Sequence, residues 1–387
     1  PLSLPSPLSL PSPLNPPSLL ILLSFPILPS PLNPPSLPSL LILPSLLISP
    51  TARKNKQKNA KNNFFYYLCP HTKDKKPMKI YINGASCIST QPTFPTPLFE
   101  GFLPAHPDEV LYAQEPSYKD YIAPNASRRM AKGVKMSIAT ATEALREANI
   151  TTPEAIIVGT GMGCVQDTEK FLKAMLDNHE QHLTPTAFIQ STHNTVSGQL
   201  ALHWQCHSYN TTYVNGAISF ESALLDATMQ LEQQLIANAL VGGVDEHAPF
   251  FLQTQQLVKS NLMGEGAAFF ALSAIPAEHT CAELVDISLR NEVTPDELPS
   301  WITDFLQHHA LSISDIDIIF TGDPTPLPWQ CPILSYKNLC GEYFTASAFG
   351  LWYAYHYLKG GKARRILLIN SYNNKDFSLV LVEKFSV

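Results

Sequence analysis

Asn261-Leu262-Met263-Gly264-Glu265-Gly266-Ala267-Ala268-Phe269-Phe270-Ala271-Leu272-Ser273 is the stretch whose reading decides the fold. Two glycines flank one acid, and an apolar run over 267–272 follows without a break. Glycine permits tight turns and close backbone approach, and an apolar run of this length reads as a buried strand. Upstream, Ala239-Leu240-Val241 is a second apolar strand ending in Gly242-Gly243, and Phe220–Ala237 before it reads as a long helix. Further back, Thr211–Val214 is β-rich and turns at Asn215-Gly216, Val196–Trp204 and Thr168–Asn178 read as helices, and Ala155–Val158 ends in Gly159-Thr160-Gly161. Met130, Val134, Ile138, Ala141 and Leu145 recur at helical spacing, which predicts a helix over Ser127–Ala148. Lys79–Ile82 reads as a first short strand, and 83–125 as loop-rich.

Downstream the same logic repeats on a smaller scale. A helix is expected over Ser300–Ala310 with Ser300 as N-cap, then a strand Ile316–Phe320, a helix Ala346–Lys359, and strands Ile366–Asn370 and Leu379–Glu383. Alternation of this kind predicts an α/β fold with buried sheets.

The 387 residues carry a formal net charge of -6 and 45% hydrophobic side chains. Nothing in that balance points to nucleic acid or an acidic membrane surface. Seven cysteines without a CxxC or regular spacing form neither a disulfide framework nor a zinc site. They read as buried thiols of a reduced, cytoplasmic protein. No motif calls for a metal or a cofactor.

Residues 1–52 hold no charged side chain and are nearly all Pro, Leu, Ser and Ile. Ser-Pro-Leu-Asn-Pro-Pro-Ser-Leu occurs at 12–19 and again at 30–37, and a Lys/Asn-rich stretch runs from Arg53 to Lys76. Such proline density excludes helices and central strands, so 1–77 is expected to be disordered. Its apolar runs are too short to span a bilayer, and its cations follow the apolar part, unlike a secretory signal. Met78 is the first methionine and leads straight into a strand. This predicts that 1–77 is translated upstream sequence, with a Pro-rich linker as the rival reading, and divides the rest into halves at 78–275 and 276–387.

Taken in order, these landmarks resemble the β-ketoacyl synthase family. Arg128–Ile150 is similar to its first long helix, and Gly159-Thr160-Gly161-Met162-Gly163 to its Gly-rich turn. Ser191–Trp204, with Ser197-Gly198-Gln199-Leu200, resembles the segment before its nucleophile. Gly242-Gly243, Gly264-Glu265-Gly266-Ala267, Thr325-Pro326 and Ser335-Tyr336-Lys337-Asn338-Leu339-Cys340-Gly341 follow in the family's order. The resemblance implies the thiolase-like, five-layered αβαβα architecture with two pseudo-repeated halves.

Active members of the family use a nucleophilic cysteine at a helix N-terminus, where the dipole and free N–H groups favour thiolate. It takes an acyl chain as a thioester, two histidines stabilise charge during decarboxylation, and a lysine supports them. Here Ala217 matches the alanine before that cysteine, which places Ile218 at the nucleophile. A one-residue slip offers Ser219. Phe320-Thr321-Gly322-Asp323-Pro324 lacks the first histidine, and Glu342 stands where the second is expected. Lys337 matches the lysine and is expected to pair with Glu342. The glycine-rich gate is replaced by Asn373-Asn374-Lys375-Asp376.

The resemblance therefore implies a catalytically silent subunit of the chain-length-factor kind. Such subunits pair with an active synthase and meet acyl carrier protein in fatty acid, aryl polyene or type II polyketide elongation. Ile218 departs from the polar residue such subunits often carry there, which argues against priming by decarboxylation. Two alternatives stay open. One is an acyltransferase with a relocated nucleophile, for which Cys340, Cys164 and Ser219 are candidates and His193 and His247 the nearby histidines. The other is a carrier-protein docking scaffold using Arg128, Arg129, Lys132 and Lys135. Glu265 reads as a turn residue holding loops through backbone hydrogen bonds.

Overall fold

The computed structural model describes residues 78–106, 110–250, 253, 263–323, 327–372 and 376–386. The expectations for 1–77, Thr325-Pro326 and Asn373–Lys375, and the residues Asn261 and Leu262, lie outside the described residues.

In the first half, β1 (Ile80–Ile88) leads to α1 (Lys132–Glu147), β2 (Ala155–Gly159), α2 (Val165–Asp177), α3 (Pro185–Gln190) and α4 (Thr195–Trp204). Then come β3 (Tyr209–Tyr213), α5 (Ser219–Glu232), β4 (Asn238–Asp245) and β5 (Gly266–Ser273). The second half runs β6 (Ala282–Asn291), α6 (Leu298–His308), β7 (Ile318–Thr321), β8 (Ile333–Ser335), α7 (Ala346–Lys359), β9 (Arg365–Tyr372) and β10 (Asp376–Lys384).

The strands form one ten-stranded sheet in the order β3-β2-β4-β5-β1-β6-β10-β9-β7-β8. Within it β2 is parallel to β3 and β4, while β5 is antiparallel to β4 and β1. In the second half β7 is parallel to β8 and β9, while β10 is antiparallel to β9 and β6. The halves thus repeat one topology without repeating sequence. They join where Ile80–Ile82 of β1 pairs antiparallel with Ala282–Leu284 of β6. The helix before the fourth strand of each half, α5 and α7, packs in the middle, and α1 and α6 cover the outer side of their own halves.

Three apolar clusters fill the resulting five layers. β5 is buried along its whole length because its two faces serve different clusters. Ala267, Phe269 and Ala271 pack on the α1 side, while Ala268, Phe270 and Leu272 face the central helices. The third cluster holds Trp301, Ile302 and Phe305 of α6 against β7, β9 and β10.

Several expected boundaries move. β1 continues to Ile88 because Gly84 lies flush against α1: a Cβ there would sit 2.2 Å from the Ala144 carbonyl oxygen. α6 starts at Leu298 with Glu297 at the N-cap, so Ser300 lies inside the helix and donates to the Glu297 carbonyl at 2.8 Å. β6 was not expected: Glu283, Asp286 and Arg290 break up its apolar pattern. α5 ends at Glu232, short of Ala237.

Candidate functional site

The turn that carries the nucleophile in the resembling family is built here by β3, Val214–Gly216 and the start of α5. Gly216 has φ +58°, a left-handed conformation that suits glycine. Gly216–Ile218 forms one 3-10 turn before α5. Ser219 is fully buried: its Oγ donates to the Gly216 carbonyl at 2.6 Å and accepts from the Asn215 N–H at 2.8 Å. Both partners are backbone atoms, so this hydroxyl closes the turn. Ile218, partly buried, is the side chain at the mouth of the turn.

The facing wall is a polar cluster. Lys337, 5% exposed, sits in a single helical turn, Lys337–Cys340. Its Nζ donates to Glu342 Oε2 and to the Ser371 carbonyl, both at 2.7 Å, and lies 3.7 Å from Asp323 Oδ2. Burial alone would lower the lysine's pKa, but the carboxylates of Glu342 and Asp323 outweigh it and raise it. Ser371 Oγ donates to Asp323 Oδ2 at 2.6 Å, and Thr321, the last residue of β7, donates to the Asp323 carbonyl. Asn370 connects this wall to the turn. Its Nδ2 donates to the Ala217 carbonyl and to Glu221 Oε1, both at 3.0 Å, and its Oδ1 accepts from Tyr336. Sequence reasoning missed Glu221. Its signal was a lone acid in the first turn of α5, and burial raises its pKa toward the neutral acid.

Gly264-Glu265-Gly266 braces the cluster from behind. A Cβ on Gly264 would lie 1.9 Å from the Cys340 carbonyl oxygen, and the Gly264 N–H donates to the Glu342 carbonyl at 3.0 Å. Only glycine allows that approach. Glu265 is fully buried, accepts the N–H groups of Ala113 and His247, each at 2.9 Å, and pairs with Lys132. Lys135 leans toward Glu115 and over the Tyr118 ring. The expected basic cluster is therefore divided: Lys132 and Lys135 turn to acids of their own chain, while Arg128 and Arg129 stay exposed.

Two further buried acids were missed. Asp245 accepts the Gly161 and Thr345 N–H groups and the Thr345 hydroxyl. Glu246 accepts the Gly133 and Gln166 N–H groups at the N-termini of α1 and α2. Those amides favour the carboxylate, but burial dominates and pushes its pKa up to about 7. Asp245 ends the apolar strand β4 and Glu246 follows it, where sequence shows only charges after a hydrophobic run.

Cys340 and Cys164 are fully buried, and burial pushes both thiols up, away from the thiolate. Cys340 Sγ is turned to the Gly341 carbonyl at 3.3 Å. His193 backs onto Gly163, and burial lowers the pKa of His247. Among the described residues no group of His, Cys, Asp and Glu suits a metal ion, and no helix is long and apolar enough to cross a membrane.

Residues 104–289 match the family model "Beta-ketoacyl synthase, N-terminal domain". No curated protein matches the chain in sequence. Among solved structures it is similar to the ishigamide ketosynthase/chain length factor, at TM-score 0.67 and 14% identity over 80% of this chain and all of that one. A β-ketoacyl synthase from Burkholderia phymatum STM815 gives 0.67 and 12% over 80% of this chain and all of that one. The ketosynthase ApeO in complex with its chain length factor ApeC, from Xenorhabdus doucetiae, gives 0.60 and 13% over 82% of this chain and all of that one. Residues 104–289 thus match the β-ketoacyl synthase N-terminal domain, and the chain has the thiolase-like fold of these solved structures.

Proposed function

We propose that this chain is a catalytically silent, chain-length-factor-like subunit that pairs with an active β-ketoacyl synthase during acyl-chain elongation on a carrier protein. One observation carries the reading: the turn that should present a nucleophile presents Ile218, and the wall that should present two histidines presents a Lys337–Glu342 ion pair. An isoleucine has no atom that can hold an acyl chain. A carboxylate at 342 opposes the negative charge that decarboxylation develops. The packing around both is kept, as a subunit that contributes fold and not chemistry requires.

Two structural neighbours are a ketosynthase/chain length factor and a ketosynthase in complex with its chain length factor. A third is a type II acyl-carrier protein in complex with its ketosynthase. They support a synthase partner and a carrier protein for this chain. Relocated catalysis is disfavoured by the burial of Cys340 and Cys164 and by the backbone bonds of Ser219. A docking scaffold is disfavoured by the division of the basic cluster.

The test is co-expression of the full chain with the β-ketoacyl synthases of its source, followed by size-exclusion chromatography with light scattering. A stable 1:1 complex with a synthase that carries the cysteine and both histidines supports the reading. A homodimer that excludes every such synthase overturns it.

A further inference from the structure

A cavity of about 630 Å³ opens where β1 and β9 begin, β10 ends and the chain turns out of α7. It lies away from the Ile218 turn. Ser371, in the polar wall, stands at the other end of β9 from Arg365, about 20 Å along an extended strand.

The bases Lys79, Lys362, Arg364 and Lys384 line the cavity with the acids Glu283, Asp317 and Glu383. All three acids are engaged. Glu283 pairs with Lys79 at 2.6 Å, and Asp317 Oδ2 accepts the backbone N–H groups of Arg364 and Arg365 at 2.7 and 2.8 Å. Glu383 Oε1 accepts from Arg365 at 2.8 Å and lies 3.6 Å from Arg364 Nε. Lys362 and Lys384 are left over: among the described residues neither forms an ion pair with a carboxylate. Lys362 Nζ stands over the Phe99 and Tyr357 rings, 5.9 and 5.4 Å from their centroids. Lys384 Nζ reaches the same turn, since a Cβ on Gly361 would lie 3.5 Å from it.

Two uncompensated ammonium groups on one concave wall focus a positive potential. The helix dipole accounts for Lys362, which follows the C-terminus of α7, where a cation is favoured. It does not account for Lys384, the last residue of β10. Gly361 has φ +68°, and its N–H donates to the Leu358 carbonyl at 2.9 Å, so the chain leaves α7 at a residue without a side chain and the floor stays open. Phe385 adds an apolar wall: its ring meets Tyr81 edge to face at 4.9 Å and lines the cavity.

We infer that this cavity binds a soluble phosphorylated small molecule, with the phosphate between Lys362 and Lys384 and a planar or apolar group against Phe385. A dianionic phosphate neutralises both leftover cations, where a carboxylate neutralises one, and its oxygens accept from both flexible ammonium donors. The volume lies within the range of small-molecule sites. The inference is independent of the pairing reading, because it uses no residue of the Ile218 turn or the Lys337 wall.

Isothermal titration calorimetry of the full chain at low salt tests it, with AMP, adenosine and inorganic phosphate as probes. Vesicles containing phosphatidylglycerol form a separate arm, because a lipid headgroup carries the same phosphate chemistry. AMP is expected to bind more tightly than inorganic phosphate, and adenosine at least about tenfold more weakly than AMP. Lys362→Ala and Lys384→Ala are each expected to weaken AMP binding by roughly tenfold. Their thermal midpoints should match the wild type, since neither side chain is buried. Added salt should weaken binding further. No AMP binding at millimolar concentration, or equal affinity in the wild type and both variants, overturns the inference. Equal affinity for AMP and adenosine overturns the phosphate assignment. Vesicles that bind where AMP does not overturn the soluble ligand and assign the two lysines to a membrane surface.

Discussion

Replacing Lys337 by methionine tests whether the polar wall is a structural ion pair. The side chain is 6% exposed and makes two 2.7 Å bonds, to Glu342 and to the Ser371 carbonyl. Removing one partner of a fully buried pair costs about 3–5 kcal/mol, because a charge is left uncompensated. Glu342 is 21% exposed and can turn partly to water, which lowers that cost. The orphaned Ser371 carbonyl adds about 1 kcal/mol. The sum is a loss of about 3 kcal/mol, read as a drop in the urea midpoint at unchanged slope. The double variant Lys337→Met/Glu342→Leu removes both charges and is expected to recover at least half of the loss. A single-variant loss below about 0.5 kcal/mol, or additive effects of the two changes, would refute the reasoning, since coupled neighbours give non-additive cycles.

Gly264→Ala is expected to destabilise by about 3 kcal/mol or more in the same assay, because its Cβ meets backbone and not a movable side chain. A second prediction concerns pH. The folded pKa of Glu246, pushed up to about 7 by burial, stands above its ordinary value of 4.5. Its contribution is therefore fully present below pH 4.5 and lost as pH rises through 7, by about 3 kcal/mol at 1.36 kcal/mol per unit. Glu246→Gln should flatten that fall, and a wild type whose stability rises between pH 5 and 8 relative to the variant contradicts it. Under native conditions Cys164 and Cys340 should react with iodoacetamide on the order of 100-fold more slowly than free cysteine. A cysteine introduced by Ile218→Cys, at the N-terminus of α5, should take one adduct readily; peptide mapping reads both.

Much of the fold was legible because its signals are local. α7 spans Ala346–Lys359 as the sequence predicts, and β5 falls within one residue of the apolar run after Gly266. β6 escaped because its acidic and basic residues hide a strand whose burial comes from β1 and β10, both far away in sequence. The topological repeat was invisible for the same reason: parallel and antiparallel pairing is written in long-range contacts. In the site, the Lys337–Glu342 contact was legible because the two residues are only five apart in sequence. Glu221, Asp245 and Glu246 did not follow, because their hydrogen-bond partners lie 80 to 157 residues away. The division of the basic cluster depended on Glu265, 133 residues from Lys132.

Intact-protein mass spectrometry of this chain after incubation with acyl-loaded carrier protein tests the central claim most directly. The account predicts an unchanged mass, with acylation appearing only on the partner synthase when that subunit is added. A covalent acyl adduct on this chain alone would contradict it, and its position, at Cys340, Cys164 or Ser219, would identify the nucleophile.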